Sequence, residues 1–396
     1  MSINSLPNDC LLIIFDDIKE LDDLVNCYKV CTRWSLLIAK RAKRVKYLIN
    51  NSLYSTPDDG YNEHVYIRTE KPIDGNCLEN LFPNLRIVDI DYLLPKKVQL
   101  NHILKMVKSA KSLKGFFIEL ESPFEEVSRC CEDIDMVSVN NILLSKSSPY
   151  DGPICENGYR FKQLHIYQFN LREAREFELS FPNLHRLNAY DVDAGGYMKL
   201  FDDTVFLRLK IIEFFMVGKC NARFVNLFRF IDHCPVLQSA HISGLFYPLY
   251  FNVSKKHESL QDLVIDFAED ERTHWDTLES LMMKYPNLKH LSMRGCPGIK
   301  DEHIEKLVEI LPNLTLIDVR GSEVTQKAAD YCRRHERSIK LYFGDSKEGY
   351  RQIKLDWPQI SIRRETICRG FDFMKHCFFK NYRSLPCFLD PMDEED

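Results

Sequence analysis

The chain is 396 residues long, 45% hydrophobic and 28% charged, which gives enough core-forming material for several domains or one extended solenoid and excludes bulk disorder. Its 53 Lys plus Arg against 58 Asp plus Glu leave a formal charge of −5, so no global attraction to nucleic acid or to an anionic membrane is expected. No run approaches the roughly 18 apolar residues of a membrane helix, Met1–Ser5 lacks leader-peptide character, and the 14 cysteines form no paired framework. The expectation is an intracellular chain, cytoplasmic and/or nuclear, with reduced thiols and with chance sequons at Asn50, Asn252 and Asn313.

The opening segment, Leu6-Pro7-Asn8-Asp9-Cys10-Leu11-Leu12-Ile13-Ile14-Phe15, reads as a helix start. Proline suits the first turn and Asp9 complements the dipole there. A second acidic start at Asp22-Asp23 introduces Leu24, Cys27, Tyr28 and Cys31 at helical spacing, with Val30 and Trp34 on a neighbouring stripe. Helices this apolar exceed what a fifty-residue unit can bury, so a partner is expected to cover part of them. Cys27 and Cys31, four apart, are read as core residues and not as half a metal site, because no second His or Cys pair follows at zinc spacing. The basic run Lys40, Arg41, Lys43, Arg44 and Lys46 is read as the solvated face of a linking helix whose apolar side is Ile38, Val45 and Leu48, with a nuclear-entry signal as the alternative.

These residues resemble the F-box family, whose pattern is Leu-Pro-x-acidic-Leu-Leu-x-x-Ile-Phe, then Asp-Leu, then Val-Cys-x-x-Trp. The chain supplies Leu6, Pro7, Asp9, Leu11, Ile14, Phe15, Asp23, Leu24, Val30, Cys31, Arg33 and Trp34 in register. It departs at Cys10, where the family has leucine, and by an extra residue in the turn from Lys19 to Leu21. The resemblance implies docking on a Skp-type adaptor, which bridges to cullin and RING subunits, through Leu6, Pro7, Leu11, Ile14, Phe15, Leu24, Val30 and Trp34.

Farther along, the phrase Pro-Asn-Leu-x-x-apolar-x-apolar recurs at Pro83-Asn84-Leu85, Pro182-Asn183-Leu184, Pro286-Asn287-Leu288 and Pro312-Asn313-Leu314, with degenerate copies at Leu113, Phe161, Leu209, Leu237 and Leu260. From Leu184 through Leu209, Leu237, Leu260 and Leu288 to Leu314 the steps are 25, 28, 23, 28 and 26 residues. They lie inside the ~20–29 residue period of leucine-rich repeats. Each phrase alternates like a short strand, and helical spacing follows it, as at Ile304, Leu307, Val308 and Leu311 or at Phe224, Leu227, Phe228 and Ile231. The copy with Cys296 and Gly298-Ile299-Lys300-Asp301 looks like the cysteine-containing repeats often joined to F-boxes, with Cys296 buried in the turn.

The interval from Leu113 to Phe161 is 48 residues, nearly two periods. Residues 122–158 are therefore either a decayed repeat, with 137–144 as its helix and 145–152 as loop, or an insertion. Beyond Gly344 the period fades. Residues 357–382 mix Phe371, Phe373, Phe378 and Phe379 with Arg363, Arg364, Arg369, Lys375 and Lys380, and are read as a terminal cap ahead of the acidic end Asp393–Asp396, in preference to a nucleic-acid patch.

The expected fold class is α/β: an N-terminal three-helix F-box over 1–50, a leucine-rich-repeat solenoid over 60–345, unbroken from about residue 65 to 344, and a C-terminal capping segment and acidic tail over 346–396. The solenoid is a parallel-sheet horseshoe with helices on its convex side. A doubly wound fold is disfavoured, because polar residues alternate through most strands and no glycine-rich phosphate turn occurs.

No catalytic constellation, cofactor site or metal site emerges, so the chain is read as non-catalytic. The leading expectation is a substrate-recognition adaptor of a Skp-cullin-F-box ubiquitin ligase, leading to proteasomal degradation of a protein target. A Skp-binding scaffold without a ubiquitin-transfer role and an enzyme with an unrecognised site are the alternatives. Strand alternation turns His165, Tyr167, Arg186, Tyr190, Glu213, Phe215, His241, Asp262, Asp266, His290, Arg294, Asp318 and Arg320 to the concave side. Among them Tyr167, Arg186, Tyr190, Phe215 and Arg294 are expected to anchor the target. The alternatives are that they are ordinary exposed strand residues, or that the C-terminal segment folds across them.

Overall fold

The structure is a computed structural model that describes residues 3–50, 63–67, 72–73, 75–90, 93–118, 126–127, 129, 131, 133–139, 153–193, 204–216, 227–245, 249–268, 274–360, 365–369 and 373–390. It falls into two compact units, Met1–Leu164 and His165–Asp396.

The first unit opens with three helices, α1 (Asn8–Asp16), α2 (Leu21–Lys29) and α3 (Thr32–Ala42). Pro7 caps α1 with an extended backbone, and its carbonyl accepts the Leu11 N–H at 3.1 Å. Leu11, Phe15, Leu21, Leu24, Val25, Leu37 and Ile38 are buried and form the helical core. Each such side chain contributes about 1.5–3 kcal/mol.

Two expectations for this region are corrected. Cys27 and Cys31 are not core residues of one helix: α2 ends at Lys29 with Cys27 half-buried, and Cys31 is exposed as the extended N-cap of α3, which also carries Trp34. The basic run is not one solvated helix face. Arg41 is fully buried, 4.0 Å from Asp16 with its guanidinium donating to the Ile18 carbonyl, while Arg44 pairs with the same carboxylate from the surface. The helix stops at Ala42, and Tyr47–Asn50 is already the first strand, so residues 47–50 belong to the sheet.

In the first unit β1 (Tyr47–Asn50) lies between β2 (His64–Ile67) and β3 (Ile87–Asp89), followed by β4 (Gly115–Ile118) and β5 (Met136–Val139), all parallel. The helices are tied to this sheet. The Lys19 carbonyl accepts the Tyr66 N–H at 2.7 Å, buried Lys97 lies 3.5 Å from Asp22, and Asn84 donates to the Lys43 carbonyl at 2.8 Å. Strand β5 resolves the doubtful interval: from Gly115 to Met136 is 21 residues and from Met136 to Gln163 is 27, so a complete strand stands where the helix had been placed. The remainder of that helix and the loop 145–152 lie outside the described residues.

Strand β6 (Gln163–Ile166) spans the boundary between the units. In the second unit a two-residue pair, β7 (Phe169–Asn170) with β9 (Val192–Asp193), flanks β8 (Arg186–Ala189). The main ladder then runs in chain order from β8 through β10 (Ile211–Phe215), β11 (Ser239–Leu245), β12 (Asp262–Phe267), β13 (His290–Arg294) and β14 (Leu316–Asp318) to β15 (Lys340–Tyr342), parallel throughout.

The recurring phrase has a structural meaning. The leucine N–H closes a turn onto the carbonyl three residues earlier, as in Leu85 to Phe82, Leu184 to Phe181, Leu237 to Cys234, Leu288 to Tyr285 and Leu314 to Leu311. Proline, lacking an N–H, stops the preceding helix inside that turn. The strand begins two residues after the leucine, and the asparagine reaches sideways: Asn287 donates to the Glu258 carbonyl and Asn313 to the Asn287 side chain. Helices such as Asp301–Ile310 and Gln326–Arg334 cover one face of the ladder, and Cys296 is buried in its turn as the repeat predicts. Phe224 lies outside the described residues, and the helix there is short, Leu227–Ile231.

Leu291 is fully buried and its ladder partners are Leu263 and Ile317, so one side chain serves three repeats. Leu291→Ala is expected to cost about 2–5 kcal/mol in denaturant unfolding. A change within experimental noise would place this strand outside the core.

Candidate protein-interaction sites

The three-helix unit divides its apolar residues between two surfaces. Leu11, Phe15 and Leu24, expected as adaptor contacts, are instead its core and have no exposed surface to offer. The reason is the helical turn: Leu11 and Phe15 are four apart and point inward together, which turns Ile13 and Ile14 outward. Ile14, Val30 and Pro7 do face solvent, Leu6 and Trp34 are half-buried, and Ile13 (67% exposed) and Leu36 (69% exposed) join them without having been singled out in the sequence.

Arg33 organises this surface. Its guanidinium donates to Asn8 at 2.9 Å and to the Asn4 and Leu6 carbonyls at 2.6 and 2.5 Å, fixing the turn that presents Leu6 and Pro7. Trp34 donates to Asn4 at 3.1 Å and meets Phe15 edge-on at 5.0 Å. The result is an apolar patch on a pre-organised backbone, which suits a protein partner better than a small molecule.

The second candidate face is the side of the β8–β15 ladder opposite the helices. Alternation places Arg186, Asn188, Glu213, Phe215, His241, Asp266 and Arg294 there, but much of this face already has an intramolecular partner. The C-terminal segment crosses it, with β16 (Ile367–Arg369) paired to β17 (Phe388–Asp390) and the turn Met374–Phe378 between them. Phe373, Cys377, Phe378 and Phe379 pack in one cluster with Ile211, Val264, Leu316 and Tyr342 of the strands.

Arg186 is therefore corrected from an exposed anchor to a buried one. It pairs with Glu213 at 2.5 Å and donates to the Cys387 and Pro386 carbonyls, each at 2.8 Å. Glu213 also accepts from Asn188 at 2.9 Å and from the Cys377 thiol at 2.7 Å. Burial, followed by the Glu213 charge, pushes the Cys377 thiol well up, so it stays protonated and acts as a donor. The other expected anchors keep varying access. Phe215 stacks on Tyr382 at 3.5 Å between centroids, Tyr190 packs against Phe215 at 4.7 Å, and Arg294 holds Asp266 while donating to the Lys380 carbonyl at 2.9 Å. Tyr167, stacked on Tyr190, remains 44% exposed.

Asp266 is the electrostatic hub of the later repeats. Burial alone would raise its carboxyl, but the Arg294 charge at 2.8 Å and the hydrogen bond from His241 at 3.0 Å outweigh that and bring it down to about 2. Among the described residues no group of three or more His, Cys, Asp or Glu could hold a metal ion, and no helix is long and apolar enough to cross a membrane. Arg363, Arg364, Phe371 and Asp393–Asp396 lie outside the described residues.

Residues 3–42 match the F-box-like family model, so the chain carries an F-box-like domain ahead of a leucine-rich-repeat fold. Among curated proteins, none matches the chain in sequence. Among solved structures it is similar to an internalin from Listeria monocytogenes at 12% identity and a TM-score of 0.40, covering 87% of this chain and 99% of that one. It is also similar to TLR13 in complex with ssRNA13, at 11% identity and a TM-score of 0.44, covering 76% of this chain and 45% of that one.

Removing Arg186 strands the Glu213 charge beneath the C-terminal segment. Arg186→Ala is therefore expected to cost about 3–5 kcal/mol, whereas Tyr167→Ala stays within about 0.5 kcal/mol. Equal effects in thermal unfolding would contradict this division of roles. The Asp266 stabilisation is complete above its ordinary pKa near 4 and drains away as pH falls toward about 2. Asp266→Asn should remove about 2 kcal/mol of pH-dependent stability across that window. Parallel unfolding curves for the variant and the parent between pH 4 and 2 would show that Asp266 is not the group responsible.

Proposed function

We propose that this chain is the substrate-recognition subunit of a Skp-cullin-F-box ubiquitin ligase, with the N-terminal helices binding a Skp-type adaptor and the repeats holding a protein target. The observation that carries the reading is the F-box-like domain at residues 3–42 together with its outward-facing Pro7, Ile13, Ile14, Val30 and Leu36. F-box domains generally bind Skp1-type adaptors. An apolar surface of this kind gains most when a partner helix covers it.

The division of labour follows from the absence of any required chemistry on this side. A ligase subunit of this type contributes effective concentration: the target's lysines are held near the ubiquitin-charged partner enzyme, and the gain depends on geometry. Such a role is served by the bonds from Lys19, Asp22 and Lys43 into the first repeats, because a loose joint between adaptor site and repeats would lower that concentration. Cytoplasmic and nuclear placement both fit the proposed role.

Replacing Ile13 and Ile14 together by aspartate is expected to abolish capture of a purified Skp adaptor and, with it, of cullin, while leaving the melting temperature within about 2 °C, since both side chains are solvent-facing. Capture at wild-type strength would remove this surface from the adaptor site. Adaptor capture without cullin-dependent ubiquitylation of any bound protein would favour a scaffold role.

A further inference from the structure

Where strands β10 to β14 end, the chain makes a cleft of about 770 Å³, within the usual size of a ligand or peptide-side-chain site. Its floor is mostly backbone. Gly244 near the end of β11, and Gly295 and Gly321 after β13 and β14, have φ of 77°, 68° and 78°, a region that other residues enter only at a cost. A side chain at Gly244 would run into the Met216 carbonyl, and one at Gly321 would come into contact with Gly295. One wall is the C-terminal segment, with Phe379 and Tyr382, and another is the start of the helix Ser346–Asp356, with Lys347 and Tyr350.

Among the described residues, four cations but one carboxylate line this cleft. Asp266 spends both oxygens on Arg294 and His241. Arg320 places Nε and one terminal nitrogen on buried Asp318, each at 2.8 Å, and Lys380 is matched to Glu365 at 2.7 Å. Among the described residues, the cations of this cleft leave three donor groups without an acceptor: Nη1 of Arg294, Nη1 of Arg320 and the exposed amino group of Lys347. Gly349 lets the last helix lie directly on the Arg320 stem, where any side chain would collide, so this guanidinium is fixed in place.

From this arrangement we infer that the cleft is a recognition site for an acidic segment of a protein target, one carboxylate of which is held by Arg294, Arg320 and Lys347 while a neighbouring apolar side chain lies against Phe215 and Tyr382. The donors select the carboxylate. Arg294 with Asp266, Arg320 with Asp318 and Lys380 with Glu365 are each neutral as pairs, and the charge of Lys347 has Asp345 two residues away, so the cleft offers two single guanidinium nitrogens and one amino group without a large surplus of positive charge. A carboxylate brings one negative charge to such a site, whereas a phosphorylated side chain brings about two and would be left under-neutralised. Each free Nη1 can give one charge-assisted hydrogen bond to a carboxylate oxygen. The inference rests on the reading that the repeats hold a protein target.

The test uses the full chain with its adaptor and pools of end-capped pentapeptides whose central residue is fixed as Glu, Gln or phosphoserine, with Leu, Phe and Gly mixed at the flanking positions. Retention of each pool on the immobilised complex is measured. The Glu pool is expected to be held at least about tenfold better than the Gln pool, as one charge-assisted contact provides. In Lys347→Glu, an exposed position, that ratio should fall to about one with an unchanged melting temperature, and Tyr382→Ala should weaken retention of the Glu pool. Equal retention of Glu and Gln pools by the wild type, or no retention of any pool, would overturn the assignment, and a preference for phosphoserine would replace the carboxylate with a phosphate. Adaptor capture is scored in the same samples. Its loss with intact Glu selection would count against the ligase reading alone, and the reverse outcome against the cleft alone.

Discussion

The leucine that ends each Pro-Asn-Leu phrase points into a space that its own repeat cannot close. Its N–H completes a turn, its side chain is buried, and the strand that starts two residues later finds partners only in neighbouring repeats. Both the hydrogen bonds and the apolar burial are therefore satisfied between repeats and not within one. Stacking is compulsory, and everything placed on the ladder inherits its regular spacing: the asparagine contacts between turns, the glycines at the strand ends, and the row of polar residues on the face opposite the helices.

That polar row creates the second demand. Arg186, Asn188 and Glu213 in adjacent strands bring a charged pair to a face that is then covered, and a covered charge is tolerated when it is paired and hydrogen-bonded. The C-terminal segment contributes to this with backbone carbonyls at Pro386 and Cys387 and with the Cys377 thiol. The aromatic residues around them supply apolar area, but the polar contacts fix the register in which the segment lies. In consequence the face expected to be free for a target is divided, covered by the C-terminal segment at positions from β8 to β15 and open toward the strand ends, where the cleft lies.

The N-terminal helices solve a similar problem by different means. With three short helices there is room for one small core, and Leu11, Phe15, Leu24, Leu37 and Ile38 fill it. The remaining apolar residues face water, held by Arg33 in a defined arrangement. Stability on one surface and readiness for a partner on the other thus come from the same helical period, and the ties to β2 and β3 make this unit continuous with the first repeats.

Much of this was legible in the sequence, because it is written in local periodicity. The spacing of 23 to 28 residues, the proline that ends several of the helices, the alternation that assigns strand faces and the Leu-Pro to Val-Cys-x-x-Trp motif are all readable along the chain. Even the interval around Met136 obeys the period, although a run of mixed residues concealed its strand. What covers a face is not local information. Arg186 and Arg41 look like solvent-seeking side chains until Cys387, 201 residues away, and Asp16 with the Ile18 carbonyl are brought to them. Sequence determined which residues share a face; tertiary structure decided which faces are buried, because burial of a charge depends on partners that only chain folding supplies.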